Sequence, residues 1–195
     1  MAVIDSRQAG VLKQLDKEGG GAPENVIRKW MADITGLPLH RVVRRWLPRP
    51  GTRPGIDEDW IAVGVERVQT HGTPYQRGRK GQPEDAESGD VVREVHQTLH
   101  CIASFYGPNA AQIVDDFRDA AQLFQTNDAL KAQGLTLQGI AEDALQLPDL
   151  LGEQWVPRFD ITFKLGRKVS RTYGVRDLVK VGPIEIYTEK GKVNG

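Results

Sequence analysis

The feature that most constrains the fold of this chain is a change of hydrophobic period at Gly107-Pro108. Before this dipeptide, apolar and polar residues alternate from Val91 to Tyr106, as in a strand with one buried face. After it, apolar residues recur at intervals of three and four, as in a helix with one buried face. The strand positions are Val95, Leu99, Cys101, Ala103 and Phe105, and the helix positions are Ala110, Ile113, Val114, Phe117, Ala121 and Phe124. These two apolar faces must pack against each other or against other parts of a shared core.

Two further segments alternate with the period of a strand. Trp60–Gln69 carries apolar side chains on one face, and Trp155–Leu165 has an unusually bulky apolar face. That second face consists of Trp155, Phe159, Ile161, Phe163 and Leu165. Shorter elements are predicted at 40–47 (strand) and 128–133 (helix), and the mixed segment 135–151 has room for another strand.

A second helix is predicted before these strands. Pro23 suits an initial helical position and Glu24 is favourable near the positive end of the helix dipole. Apolar residues then follow at helical spacing until Gly36 and Pro38 end the helix.

The order of these elements predicts an α+β fold. Because directly connected strands favour antiparallel pairing, we expect an antiparallel sheet of about four strands with two main helices packed on one face. The polar segment His71–Asp90, rich in Gly, Pro and charge, is predicted to be a long hairpin loop. We expect an N-terminal arm at 1–22, a domain at 23–170 and a C-terminal arm at 171–195.

Charge and cysteine content restrict the class of partner. Lys and Arg together number 26, as do Asp and Glu, so the chain has no global positive field for binding free nucleic acid. The single Cys101 excludes an internal disulfide, and the N-terminus lacks a basic region followed by an apolar stretch, so we expect a reducing cytoplasm rather than secretion. No apolar run approaches the roughly 20 residues of a bilayer span, so we expect a soluble protein without a membrane partner.

The residue patterns do not predict a reaction centre. His96 and His100 lie four apart on a predicted strand, where their Cα atoms are separated by roughly 13 Å, too far for a shared zinc ion. Cys101 shares the apolar face of that strand, which favours a buried thiol over a nucleophile. The segment Gly72–Gly81 lacks the Gly-Lys-Ser/Thr ending of a phosphate loop. We therefore predict no catalytic residue, no cofactor and no metal site.

Two interpretations remain open for a dense basic cluster around the first predicted strand. Its members are Arg41, Arg44, Arg45, Arg49 and Arg53. Such residues suit a surface that meets DNA or an acidic partner, but ordinary solvated charge is the favoured interpretation.

In order and spacing, these segments resemble the neck or tail terminator proteins of tailed bacteriophages. The correspondence covers residues 22–168 and rests on three stretches. The first is Ile34-Thr35-Gly36-Leu37-Pro38, which is followed by the Val42–Trp46 strand. The second is Tyr106-Gly107-Pro108-Asn109-Ala110-Ala111, which joins a long strand to its helix. The third is Leu147-Pro148 followed by Gly152-Glu153-Gln154-Trp155-Val156-Pro157-Arg158.

The resemblance implies a structural virion protein of the phage neck, assembled in the host cytoplasm. It implies a hexameric, sixfold ring that stops growth of the tail tube and joins the tail to the head-side connector. The implied partners are further copies of the chain, the tail tube and sheath proteins, and the connector protein, with genomic DNA only as it passes through the lumen. A head-completion or connector ring protein and a binding module without ring assembly remain as alternatives.

Some of the basic residues outside the first cluster are expected to contact acidic surfaces on adjacent proteins. These candidate interaction residues are Arg77, Arg79, Lys80, Arg167, Lys168 and Arg171.

Overall fold

The computed structural model describes residues 2–3, 10–18, 22–46, 54–79, 90–151, 153–175, 186–188 and 191–193. The chain forms two compact units. The smaller unit comprises Met1–Lys17, Tyr75–Glu94 and Ser170–Gly195, and the larger unit comprises Glu18–Pro74 and Val95–Val169.

Within the described residues there are three α-helices and eleven strands. The helices are α1 (Pro23–Thr35), α2 (Ala110–Ala121) and α3 (Phe124–Lys131), and a 3-10 turn spans Leu39–Arg41. The strands are β1 (Ala2–Val3), β2 (Val11–Leu12), β3 (Gln14–Glu18), β4 (Val42–Arg44), β5 (Trp60–Arg79), β6 (Asp90–Tyr106), β7 (Leu135–Ile140), β8 (Leu145–Leu151), β9 (Gln154–Gly174), β10 (Ile186–Thr188) and β11 (Gly191–Val193). None of the helices in this part of the chain is long and apolar enough to cross a membrane.

Seven of the strands form one mixed sheet. Its main path runs β3-β9-β6-β5-β4, and β7 and β8 both pair with β9. β4 is parallel to β5, with Val42 opposite Ile61, whereas β7 and β8 are antiparallel to β9. The predicted antiparallel sheet of about four strands with two main helices is therefore wrong.

Chain connectivity explains the difference. Residues 45–59 separate β4 from β5, a connection long enough for the chain to return and run in the same direction. β9 has 21 residues, so β8 can pair with its first part and β7 with its middle. The mixed segment 135–151 thus contains two strands rather than one, because a single long partner accommodates both.

The predicted hairpin loop also differs from the structure. β5 continues through residues 71–79 and β6 begins at Asp90, so this part of His71–Asp90 is strand. The rest of the predicted loop, residues 80–89, lies outside the described residues. Glycine and proline in 71–79 lower the intrinsic strand preference, but pairing in a sheet overrides a weak preference of this kind.

The ends of the chain contribute strands as well. β3, inside the predicted N-terminal arm, joins the main sheet, and residues 171–174 of the predicted C-terminal arm complete β9. In the smaller unit, β1 and β2 form a parallel pair, and β10 and β11 form an antiparallel pair with Tyr187 opposite Lys192.

The core of the larger unit lies between the helices and one face of the sheet. Phe117 of α2 is fully buried, and its ring centroid lies 5.4 Å from that of Trp30, 5.7 Å from that of Phe105 and 6.0 Å from that of Phe163. Aromatic pairs at these separations add to the stabilisation that burial alone provides. The indole Nε1 of Trp30 also donates a hydrogen bond to the carbonyl of Thr126, at 3.2 Å, which connects α1 to α3.

Alternate residues of three strands complete this core and confirm most of the predicted buried faces. They are Ile61 and Val63 of β5, Leu99, Cys101, Ala103 and Phe105 of β6, and Ile161, Phe163 and Leu165 of β9.

Two residues predicted to face the core are exposed instead. Trp155 is 70% exposed, because it lies at the start of β9 beside the β8–β9 turn and outside the core cluster. Phe124 is 75% exposed, because α2 ends at Ala121 and the chain turns before Phe124 begins α3.

Gly107 determines how β6 turns into α2. Its φ of 108° is rare for residues with a side chain, and an added Cβ would lie 2.6 Å from backbone atoms of Asp59 and Glu58. The carboxylate of Asp59 accepts hydrogen bonds from the backbone N–H and the side-chain amide of Asn109, at 2.9 and 2.8 Å. The turn therefore packs directly on the loop before β5.

Replacing Gly107 with alanine should lower the free energy of unfolding by about 2–3 kcal/mol, because the new Cβ meets backbone atoms and φ becomes strained. Urea denaturation measures the change. Gly139→Ala is the matched control, since no atom lies within 4 Å of its added Cβ. Equal destabilisation by the two substitutions would contradict the role assigned to Gly107.

Candidate interaction surface

A cavity of about 360 Å³ in the larger unit combines three cationic side chains with two imidazoles. Its lining residues are His71, His96, Gln97, Lys131, Gly134, Thr136, Gln138, Gly166, Arg167 and Lys168. We call this site the basic cavity. It draws residues from α3, β5, β6, β7 and β9, so it exists only once the sheet has formed.

The start of β7 brings these elements together. Gly134 has a φ of 77° and lies in the turn that follows α3, and β7 begins at the next residue. Leu135 is then opposite Arg167 of β9. Lys131 at the end of α3 is thereby placed on the same cavity as the cations of β9.

Contacts with neighbouring side chains position two of the cations, Arg167 and Lys131. The Nε of Arg167 donates a hydrogen bond to Oε1 of Gln97 at 2.9 Å. The Nζ of Lys131 lies 2.9 Å from Oδ1 of Asp128, one helical turn earlier, and 5.1 Å from the ring centroid of Phe124. Side chains that are already ordered lose less conformational entropy when a partner binds.

A chain of hydrogen bonds connects two of the lining residues. The Oγ1 of Thr98, a buried side chain, donates to Oε1 of Gln138 at 2.7 Å. The same oxygen lies 2.7 Å from Nε2 of His71. The hydroxyl of Thr98 thus connects His71 with Gln138 across the basic cavity.

The charge of the basic cavity favours anionic partners. Lys131, Arg167 and Lys168 are basic side chains, and Lys131 forms an ion pair with Asp128. A concave surface lined by one sign of charge concentrates its potential and attracts the opposite charge. Lysine and arginine both form charge-assisted hydrogen bonds to carboxylates, so the site is suited to acidic side chains.

The structure brings two of the six candidate interaction residues together. Arg167 and Lys168 both line the basic cavity. In the smaller unit, Arg77 lies 3.8 Å from Glu94, Arg79 ends β5 and Arg171 belongs to β9. Lys80 lies outside the described residues. The binding role of all six stays a prediction.

Sequence reasoning missed the other charged and ionisable members of this site, Lys131, His71 and His96. The sequence offers no local signal for them, because they lie on three elements that are far apart along the chain. The pairing of β9 with β7 and β6, and of β6 with β5, is what places them beside Arg167.

The arginines of the first basic cluster that the structure describes are engaged within the chain. Arg41 forms an ion pair with Glu58 at 2.9 Å, Arg44 donates to Asn25 at 2.7 Å, and Arg45 donates to Ser104. Arg49 and Arg53 lie outside the described residues. These internal contacts favour a structural role for the three described arginines.

A second cavity, of about 470 Å³, is bordered by His100 and Cys101. Burial raises the pKa of the Cys101 thiol to about 12, so the reactive thiolate is scarce at neutral pH. Partial burial and then the guanidinium of Arg67 lower the pKa of His100. His96 borders the basic cavity instead, and no group of His, Cys, Asp or Glu side chains in the described part of the chain is arranged to hold a metal ion.

A polar network lies around the end of β6. The rings of Trp60 and Tyr106 stack with centroids 4.1 Å apart. The hydroxyl of Tyr106 donates to Oδ2 of Asp149 at 2.9 Å, and Nη1 of Arg158 donates to the same oxygen at 3.2 Å. Burial alone would raise the pKa of Asp149, but the hydrogen bonds from Tyr106 and Arg158 outweigh it and lower the pKa. The network connects β8 with β6 and β9.

Exposed apolar side chains lie near this network. Leu150 and Trp155 are opposite each other on β8 and β9, and they are 51% and 70% exposed. We call this pair the β8 patch. Adjacent exposed apolar residues of this size are typical of contacts between proteins.

Proline limits how the β8 patch can be used. Pro148 of β8 is opposite Pro157 of β9, and neither has a backbone N–H to donate. Proline in an edge strand discourages the addition of another strand. Contact through the side chains of Leu150 and Trp155 is therefore favoured over extension of the sheet.

A charged concave site and an exposed apolar pair are features of a protein suited to contacts with other macromolecules. The sequence model of the phage neck terminator protein family matches residues 24–192. Because the match covers most of the chain, the chain belongs to the phage neck terminator family and is a structural component of the virion neck. The resemblance seen in the sequence is thereby confirmed. No curated protein is significantly similar to the chain.

Replacing Asp149 with asparagine should lower the free energy of unfolding at neutral pH by roughly 1 kcal/mol, because the charged acceptor of two hydrogen bonds is lost. The pKa of Asp149 is lowered in the folded state, so its carboxylate stabilises the fold above the usual carboxyl pKa of about 3.9. That contribution disappears as the pH falls through the lower, folded-state pKa.

The difference between the wild type and Asp149→Asn should therefore shrink between pH 7 and about pH 3, as measured by denaturant titration. Asp116→Asn, an exposed change on α2, is the control and should have little effect at either pH. A difference for Asp149→Asn that is unchanged at low pH would contradict the assigned network.

Proposed function

We propose that this chain is a tail terminator subunit, and that six copies form a ring that caps the tail tube and joins the tail to the head-side connector. The observation that carries the proposal is the match of the phage neck terminator family to residues 24–192. The partners we propose are the tail tube, the sheath where one is present, and the connector protein. Genomic DNA meets the ring only as it passes through the lumen, and assembly takes place in the host cytoplasm.

The described surfaces support contacts of this kind. A ring built by rotation needs two different surfaces on each copy, one for each neighbour. The β8 patch and the basic cavity are surfaces of different chemistry, which supports contacts with more than one neighbouring protein. We propose further that Arg77, Arg79, Lys80, Arg167, Lys168 and Arg171 contact acidic surfaces on adjacent proteins.

Electron microscopy of the purified full chain tests ring formation. Sixfold rings are the expected result, and a chain that stays monomeric at all concentrations would contradict the proposal. The same measurement separates a ring subunit from a binding module that acts as a monomer.

A phage that lacks the protein distinguishes a terminator from a connector ring. Loss of a terminator should give tail tubes of uncontrolled length that do not attach to heads. Tails of normal length in such particles would favour a role on the head side.

Replacing Trp155 with alanine should weaken ring assembly at least tenfold while leaving monomer stability nearly unchanged, because this side chain is mostly exposed within the subunit. Sedimentation measures assembly, and thermal unfolding measures stability. Trp46→Ala is the matched control, since Trp46 is 54% exposed but packs over Gly64 of its own chain. Assembly that tolerates Trp155→Ala as well as Trp46→Ala would exclude the β8 patch from the interface.

A further inference from the structure

We infer that the basic cavity receives an acidic surface of a second copy of this chain, formed by α2 and the loop after β7. This inference rests on the proposed ring and specifies one of its contacts. It identifies the partner as carboxylate side chains of the same protein.

The acidic surface is defined by five carboxylates. They are Asp115, Asp116 and Asp119 on α2, and Glu142 and Asp143 in the loop between β7 and β8. Arg118 joins the two parts, because its guanidinium lies 3.3 Å from Asp115 and 3.5 Å from Asp119 and donates to the carbonyl of Glu142 at 3.0 Å. One guanidinium cannot neutralise five carboxylates, so the surface is strongly negative.

These carboxylates are available to a partner. The side chains of Asp115 and Asp119 are 57% and 77% exposed, and Asp116, Glu142 and Asp143 are exposed as well. An exposed surface with one sign of charge attracts a surface of the opposite charge and disfavours partners of the same charge.

Within one subunit, β7 separates the cations of the basic cavity from the carboxylates of the loop that follows this strand. Arg167 is opposite Leu135 at the start of β7, whereas Glu142 and Asp143 follow its end. The six residues of β7 span about 20 Å, and exposed charges are largely screened beyond about 8 Å in physiological salt. Two copies arranged head to tail could bring the cavity of one against the acidic surface of the next.

The dimensions of the basic cavity favour side chains over nucleic acid. A volume of about 360 Å³ is at the small end of the range for ligand sites. A duplex backbone is instead recognised by an extended stripe of cations that follows the phosphates.

Complementary charge reversals test the inference in the full chain. The cavity variant carries Lys131→Glu and Lys168→Glu, which leaves the Arg167–Gln97 hydrogen bond in place. The acidic-surface variant carries Asp116→Lys and Asp143→Lys, which leaves both carboxylates that pair with Arg118 intact. Each variant alone should assemble at least tenfold more weakly than the wild type, because like charges now face each other.

An equimolar mixture of the two variants should recover assembly, because alternating copies restore opposite charges at every contact. A single chain with all four reversals should also assemble. Lys29→Glu, on the exposed side of α1, is the control and should assemble like the wild type. Circular dichroism verifies that each variant is folded.

Normal rings in both two-site variants would overturn the inference and leave the proposed ring intact. Failure of the mixture to recover assembly, with both variants folded, would also overturn it. So would a cavity variant that forms normal rings but no longer binds DNA, since the cavity would then serve nucleic acid. A wild-type chain that never forms rings would instead count against the proposed function itself.

Discussion

The packing of Phe117 against three other aromatic rings is the interaction on which the larger unit depends. Trp30, Phe105 and Phe163 reach this ring from α1, β6 and β9, so one side chain joins two helices to two strands of the sheet. Since Phe117 determines which face of α2 is buried, it also determines that Asp115 and Asp119 are presented on the opposite side. The packing of the apolar core thus determines which charged side chains of α2 are exposed to a partner.

β9 is the second organising element, because four other strands pair with it. Its first part carries Trp155 beside β8, and its middle carries Arg167 beside β7. β9 thus contributes Trp155 to the β8 patch, and Arg167 and Lys168 to the basic cavity. Side chains on regular elements are positioned before a partner arrives, which reduces the entropy lost on binding.

Local pattern predicted the elements that are buried along one whole face. Examples are the alternating apolar residues of β6 and the apolar residues of α2 at helical spacing, because in each the apolar residues recur with the period of the element itself. Pattern predicted a strand at β4 but not its parallel pairing with β5, and it missed the division of residues 135–151 into β7 and β8 and the strand at residues 71–79 of β5. Those features depend on pairing with strands that are far away in the sequence, and such pairing does not alter the local hydrophobic periodicity.

The buried faces of β6 and α2, the buried state of Cys101 and the family could all be predicted from the sequence, since each follows from residues close together in the chain or from their order. It also supplied Arg167 and Lys168 as candidates for contact. Tertiary packing places Lys131 beside these two residues and leaves Trp155 exposed to solvent. The physical reason is that strand register and the ends of helices set distances between remote residues, whereas hydrophobic periodicity records only which side of one element is buried.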